Sequence, residues 1–164
     1  MTTDADPHRQ NILVREMVID DLPTVFHIGE EVFSSESYPS LYRTWDEYEI
    51  TTLFNSDPPL CLVADIDEET VGFALGTTVE KQNSAWKYGH LVWLGVRPNL
   101  QQGGVGEALF LELKRRMREQ SVRMIIVDTA ADNVSAIRFF SKQGFDSTQP
   151  HLYMSLNLSK KPKG

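Results

Sequence analysis

At 164 residues the chain has room for one domain of ordinary size with a real core, which excludes a small disulfide scaffold and a large two-domain enzyme. Its 41% hydrophobic and 24% charged residues are those of a globular chain rather than a disordered one. The net charge of −7, from 16 Lys+Arg against 23 Asp+Glu, argues against general nucleic-acid binding.

The charge is unevenly spread. Residues 16–69 carry 14 acids against one base, Arg43, and the rest of the chain is +6. Such a split fits two differently charged ligands, or simply a solvated acidic face. The one cysteine, Cys61, permits no internal disulfide and no metal cluster. Within the apolar run Leu60–Ala64 it reads as a buried structural thiol. No metal is expected. No apolar run approaches the ~18–20 residues of a membrane span, and the polar N-terminus lacks a signal-peptide pattern. A cytoplasmic protein that binds neither membrane nor nucleic acid is therefore expected.

In chain order, residues 1–11 read as a flexible segment and Ile12–Arg15 as a first strand. Asp20-Asp21 start a helix on which Leu22, Val25, Phe26, Gly29, Val32 and Phe33 recur at helical spacing. Residues 34–40 read as a loop. Thr44 and Glu47 fit a capping box for a second helix, which Asp57-Pro58-Pro59 ends. Leu60–Asp65 reads as a strand, Asp67-Glu68-Glu69 as a turn, and Val71, Phe73 and Leu75 as alternating positions of a hairpin partner. Tyr88–Val96 is a third apolar run before Pro98. Then come Gln101-Gln102-Gly103-Gly104-Val105-Gly106 and an amphipathic helix with Leu109, Leu113 and Met117 on one face. Met124–Val127 predicts a buried strand and Asn133–Gln143 a short helix with Ala136, Ile137 and Phe140 inward, stopped by Gly144. Tyr153–Leu158 predicts a last alternating strand, and residues 159–164 form a basic tail. No linker or repeat divides residues 12–158, so one α/β domain around a mixed sheet is expected.

The glycine turn between strand and helix is the sharpest feature. Glycines let backbone approach a ligand, and the unpaired N–H groups of a first helical turn favour phosphate. A tight turn that packs helix on strand would use the same residues. The turn is not a P-loop, because Glu107-Ala108 follow Gly106 where Lys-Ser/Thr is required. A dinucleotide fingerprint lacks its third glycine, since Leu109 stands there, although Asp128 is suitably distant.

Leu94-Gly95-Val96-Arg97-Pro98 followed by Gln101-x-x-Gly104-x-Gly106 resembles the acetyl-CoA signature of the GNAT N-acetyltransferase superfamily. A second signature, Asn133-x-x-Ala136-x-x-Phe139-Phe140-x-x-x-Gly144-Phe145, follows in the family's order and separation. The resemblance implies a GNAT-like mixed, mostly antiparallel central sheet flanked by about four helices. It implies that CoA pyrophosphate lies on the backbone of Gln102, Gly103, Gly104, Val105 and Gly106, with Gln101 in the same motif. The pantetheine arm would pair with Leu94 and Val96 as an added strand. Gly95 would be a bulge splaying that strand from its neighbour. Asn133 would hold the cofactor arm, or cap the short helix, or both.

Acetyl transfer needs a neutral amine, a polarised thioester carbonyl and a leaving thiolate. His90 is the candidate base, at a position where the resemblance places a glutamate in members acting on protein N-termini. Histidine's ordinary pKa of about 6.5 suits the task near neutral pH. A strand histidine satisfied by a neighbour reads equally well. Many members carry a proton-donating tyrosine where Phe140 stands here. Phenylalanine cannot donate, so the thiolate leaves unaided, or Tyr153 or His151 serves; Tyr153 also reads as a half-buried strand tyrosine. The polarising donor would be the Val96 N–H. Substrate contacts are expected from Phe33, Tyr38, Tyr42, Arg43 and Trp45 around the first loop, and from Tyr88 beside His90; the aromatics read equally as cover for the core edge. Arg43 suits a substrate carboxylate or the neighbouring acids.

The sequence therefore predicts an acetyl-CoA-dependent N-acetyltransferase acting on a primary amine through a ternary complex, with acetyl-CoA as co-substrate. The partners are the amine and, as an open option, a second copy in a homodimer. A catalytically impaired acyl-CoA-binding sensor is the alternative, motivated by Phe140. A nucleotide-binding module is a third class.

Overall fold

The computed structural model describes residues 11–159, apart from the side chains of Ser40, Tyr42 and Arg43. The flexible segment expected at 1–11 and the basic tail expected at 159–164 lie, residues 11 and 159 aside, outside the described residues. The chain divides after Asp128 into two compact units.

The first unit is a five-stranded sheet in sequence order: β1 (Ile12–Glu16), β2 (Cys61–Ile66), β3 (Glu69–Glu80), β4 (Lys87–Val96) and β5 (Met124–Ile126). The first four are antiparallel neighbours, and β5 joins β4 in parallel. The sheet is thus mixed and mostly antiparallel, as expected. A two-residue turn, Asp67-Glu68, joins β2 to β3 with both residues at positive φ, the mirror-image turn whose twist suits a hairpin.

One face of the sheet carries α4 (Val105–Glu119). Gly72, Gly76 and Gly89 leave the room it needs. A Cβ at Gly72 would stand 3.1 Å from Val105 Cγ1, one at Gly76 3.1 Å from Leu113 Cδ1, and one at Gly89 2.5 Å from Met117 Sδ. The opposite face carries α1 (Leu22–Val32) and α3 (Glu47–Ser56), joined through the short α2 (Pro39–Thr44). Between them and the sheet lie Phe33, Trp45, Phe73 and Trp93, with ring centroids 5.0–6.4 Å apart. Trp45 satisfies its indole N–H on the Phe26 carbonyl at 3.2 Å, so this large ring is buried without an unpaired donor.

Two local expectations change. Residues 39–44 form a helical turn rather than the end of a loop, because Pro39 begins it with its φ already helical and no donor to lose. The cap of α3 is Asp46, whose carboxylate accepts the Glu49 N–H at 2.8 Å, and not Thr44, which belongs to α2.

Charge is spent structurally in several places. Arg15 grips the buried Asp21 with both terminal nitrogens and Asp65 with Nε, which holds the Asp21 carboxyl below its usual range. On α4, Arg115 and Arg116 both bind Glu112, whose carboxyl they pull down to about 2. Arg116 also reaches Glu16 at 2.9 Å.

The second unit contains α5 (Val134–Lys142). Its end forms a paired closure: Gly144, at φ 98°, donates to the Ser141 carbonyl and Phe145 to the Phe140 carbonyl. The Phe140 and Phe145 rings meet at 5.3 Å, the apolar contact that accompanies this motif. Two strand expectations fail. Tyr153–Leu158 forms no strand, since no described segment offers it a hydrogen-bonding ladder. The β5 strand is shorter than expected and not buried, with Met124 and Ile126 exposed by 47% and 46%, because it is an edge strand paired on one side only.

Gly29 is the tightest point of the helix-side core. A Cβ there would lie 2.0 Å from Trp45 Cε2. Gly29→Ala is therefore expected to destabilise the fold by about 1–3 kcal/mol through overpacking, read by urea denaturation. An unchanged midpoint would show that the indole has room to shift.

Candidate active site

The site begins with an irregularity in β4. Leu75 faces Trp93 and Gly76 faces Leu91, so Val92 is an extra residue in the ladder. The bulge lets Val92 and Trp93 both turn toward the α1/α3 core, while Leu91 faces α4 with Gly76. It stands here, not at Gly95, which remains in register with Phe73. Gly95 serves another end: a Cβ there would lie 2.7 Å from Phe73 Cζ, so its absence admits the phenyl ring.

β5 pairs only with Tyr88, Gly89 and His90. From Leu91 to Val96, β4 has no described neighbour on that side. The Arg97 N–H bonds the Val71 carbonyl at 2.9 Å, so Arg97 and Gly95 aim their backbone groups at β3. By antiparallel alternation Leu94 and Val96 aim theirs at the open side. The Val96 carbonyl there accepts from Gln101 Nε2 at 3.1 Å. Gln101 thus ties the following loop to the strand end, and the Val96 N–H remains directed outward.

The open edge leads into the glycine loop. Gln102 and Gly104 are both left-handed, at φ 68° and 87°. Gly104 caps α4 with no side-chain acceptor, and the first helical bond is Ala108 N–H to the Gly104 carbonyl at 3.0 Å. The N–H groups of Val105, Gly106 and Glu107 therefore have no acceptor within the helix. Gly103 fits closely, since a Cβ would stand 3.1 Å from the Leu100 carbonyl oxygen. A phosphate-sized anion fits these donors, with the helix dipole behind them. The basic residues farther along α4 add little, because Arg115 and Arg116 are held by acids.

His90 stands where β4 and β5 part. Its side chain is one third exposed, and Nε2 lies 3.1 Å from Asp128 Oδ1. Its cross-strand partner Thr77 donates its hydroxyl to Asp57 Oδ2 at 2.9 Å. Tyr88, two residues back, shares the strand face and stacks on Trp86 at 6.3 Å. Sequence spacing points to Asp128 only as the acid of a dinucleotide fingerprint. Its place beside His90 had no signal in spacing, because parallel pairing of β5 brings together residues 38 apart.

The remaining candidates are dispersed. Phe33 and Trp45 are 6% and 4% exposed and serve the core, which leaves almost no surface for a substrate; the aromatic stacking explains why. Tyr38 is half-buried and precedes α2, while Tyr42 and Arg43 fall within α2 with side chains outside the described residues. In the second unit, Asn133 caps α5 by accepting the Ala136 N–H at 3.2 Å and donates to Thr129 Oγ1. Tyr153 is 63% exposed.

Cys61 is fully buried, and burial pushes its thiol up to about 12. It is no nucleophile at neutral pH. Iodoacetamide at about pH 8 should leave it unmodified in the native protein and label it on unfolding; rapid native labelling would contradict this placement. No cluster of His, Cys, Asp and Glu suited to a metal occurs among the described residues, and no described helix is long and apolar enough to cross a membrane.

Comparison with known proteins agrees with this geometry. Residues 24–145 match the acetyltransferase (GNAT) family. An acetyltransferase of Sodalis glossinidius is 27% identical over 131 residues, 79% of this chain and 88% of that protein. The crystal structure of Ard1 from Thermoplasma volcanium is similar at a TM-score of 0.68 and 25% identity, over 84% of each chain. The PaiA N-acetyltransferase of Thermoplasma acidophilum, solved with coenzyme A, is similar at a TM-score of 0.69 and 20% identity, over 83% of this chain and 90% of that one. With an opened β4 edge, a glycine loop at its end and a family match spanning both, the chain belongs to the GNAT acetyltransferase family and is an acyltransferase.

Proposed function

We propose that the protein transfers the acetyl group of acetyl-CoA to a primary amine by direct transfer in a ternary complex, with His90 as the general base. The observation that carries this reading is the stretch of β4 from Leu91 to Val96, between His90 and the glycine loop, which has no partner on its β5 side among the described residues. Along it the Leu94 and Val96 backbone groups face outward, and at its end the first N–H groups of α4 have no acceptor within the helix. The coenzyme A bound in the PaiA relative supports the same ligand class.

Acetyl-CoA supplies an activated acyl group on a thiol that leaves readily. The loop at Gln102–Gly106 holds the pyrophosphate, and Leu94 and Val96 hold the pantetheine arm in the manner of an added strand. The Val96 N–H polarises the thioester carbonyl. His90 takes the proton that the amine nitrogen loses as the nitrogen–carbon bond forms and the carbon–sulfur bond breaks. An ordinary thiol pKa near 8.5 makes a thiolate a tolerable leaving group without a donor. Cys61, buried and neutral, offers no acyl-enzyme route. Phe140 has an account independent of catalysis, since its ring closes the end of α5 against Phe145.

Two acids of the acidic segment, Glu49 and Asp57, and also Asp128, lie on or beside the β4 face that carries His90 and Trp93. These charges favour a cationic amine in the encounter.

The test is acetyl-CoA with a panel of α-amino peptides, lysine and small alkyl amines, followed by release of free thiol. Turnover of at least one amine is expected. CoA binding without turnover of any would replace this reading by the sensor. For an α-amine, with ordinary pKa of about 7.7–8.0, His90→Ala should slow the reaction on the order of 100-fold at about pH 7 and less at about pH 9. A pH profile parallel to wild type would remove His90 from the role.

A further inference from the structure

The contact between His90 and Asp128 decides which imidazole nitrogen can act. Nε2 lies 3.1 Å from Asp128 Oδ1. A carboxylate only accepts, so Nε2 carries the hydrogen, and the lone pair of the neutral ring is on Nδ1. The surroundings leave that lone pair free. Thr77, directly across the ladder, has one hydroxyl hydrogen and spends it on Asp57, which also accepts from the Thr78 N–H at 3.0 Å. Among the described residues, Asp128 is the one hydrogen-bonding partner recorded for the ring.

We infer that Asp128 is a positioning residue, which fixes the His90 ring through Nε2–H and leaves Nδ1 as the nitrogen that accepts the proton from the acceptor amine. The inference rests on the reading of His90 as the base. The arrangement comes from the sheet. Parallel pairing sets Ile126 opposite His90, and Asp128 follows two residues on, where the strands separate. As the amine nitrogen bonds the acetyl carbon and the sulfur leaves as thiolate, the amine proton moves to Nδ1 and the ring becomes an imidazolium. The Nε2–H···Asp128 bond is then charge-assisted on both sides and stronger than in the ground state. Asp128 thereby stabilises the charge that develops on His90 without taking the proton itself.

The experiment combines nitrogen-15 NMR of the histidine rings with kinetics on acetyl-CoA and the fastest amine of the panel. His90→Gln identifies the His90 signals by their loss. In wild type at about pH 8, Nε2 should be protonated and Nδ1 not. Asp128→Ala should lower kcat about 10- to 100-fold and leave the KM for acetyl-CoA unchanged, and Asp128→Glu should restore most of kcat. A protonated Nδ1 in wild type would overturn the inference. So would an undiminished kcat in Asp128→Ala while His90→Ala is crippled. If His90→Ala itself keeps full kcat, the base reading has failed and the inference falls with it; the two failures are told apart by which variant is silent.

Discussion

The structure depends on one limited pairing: β5 hydrogen-bonds β4 over Tyr88, Gly89 and His90 and no farther. Backbone N–H and C=O groups strongly prefer partners, so a strand edge with no partner among the described residues is a place where an extended ligand could pair. Here the stretch runs from Leu91 to Val96 and delivers the chain into a left-handed loop and the N-terminus of α4. The same separation holds the imidazole of His90 at the mouth of the opening and Asp128 against it. The end of this three-residue strand thus places the outward-facing edge of β4 and the His90–Asp128 contact side by side.

That opening needs a rigid frame, and the two faces of the sheet supply it differently. Toward α4 the sheet is smoothed by glycines, which draw the helix close and fix where its N-terminus lies. Toward α1 and α3 it carries a cluster of four large aromatic rings, and the Val92 bulge turns an additional residue into it. The bulge also sets the phase of β4. Without the extra residue, the strand that puts Trp93 into the helix-side core would point His90 toward α4. The direction of His90 and the packing of the core are thus two consequences of a single inserted residue.

The charge asymmetry acquires a more specific meaning. Several acids of the acidic segment, among them Asp21, Asp65, Glu16 and Glu31, are paired with arginines and hold elements together. On α4, Arg115 and Arg116 are likewise held by acids. Under the proposed function, what remains for ligands is backbone on the cofactor side and a few carboxylates near His90 on the acceptor side. A phosphate site built of N–H groups needs no net positive charge, so a chain of −7 is compatible with one.

Much of this was legible in the residues. Glycines at Gly103 and Gly104 mark a turn where a helix must start, and apolar alternation marks β2, β3 and β4, because backbone sterics and burial act locally and leave a local pattern. Both GNAT signatures are of this kind, so the family was determined by sequence alone. The bulge was expected at Gly95 and occurs at Val92, since a glycine reports only that a side chain is absent, here to admit Phe73, and not how the ladder counts. A last strand was expected at 153–158 from alternation alone, and alternation cannot provide a partner for the backbone. Phe33 and Trp45 were expected at the substrate, yet only packing decides whether an aromatic residue beside a loop faces solvent or core. The pairing of His90 with Asp128 had no trace in the sequence, because the contact joins residues 38 apart and exists only when two parallel strands lie side by side. Local chemistry wrote the glycine loop into the sequence; the register of the sheet decided where the histidine points and what stands beside it.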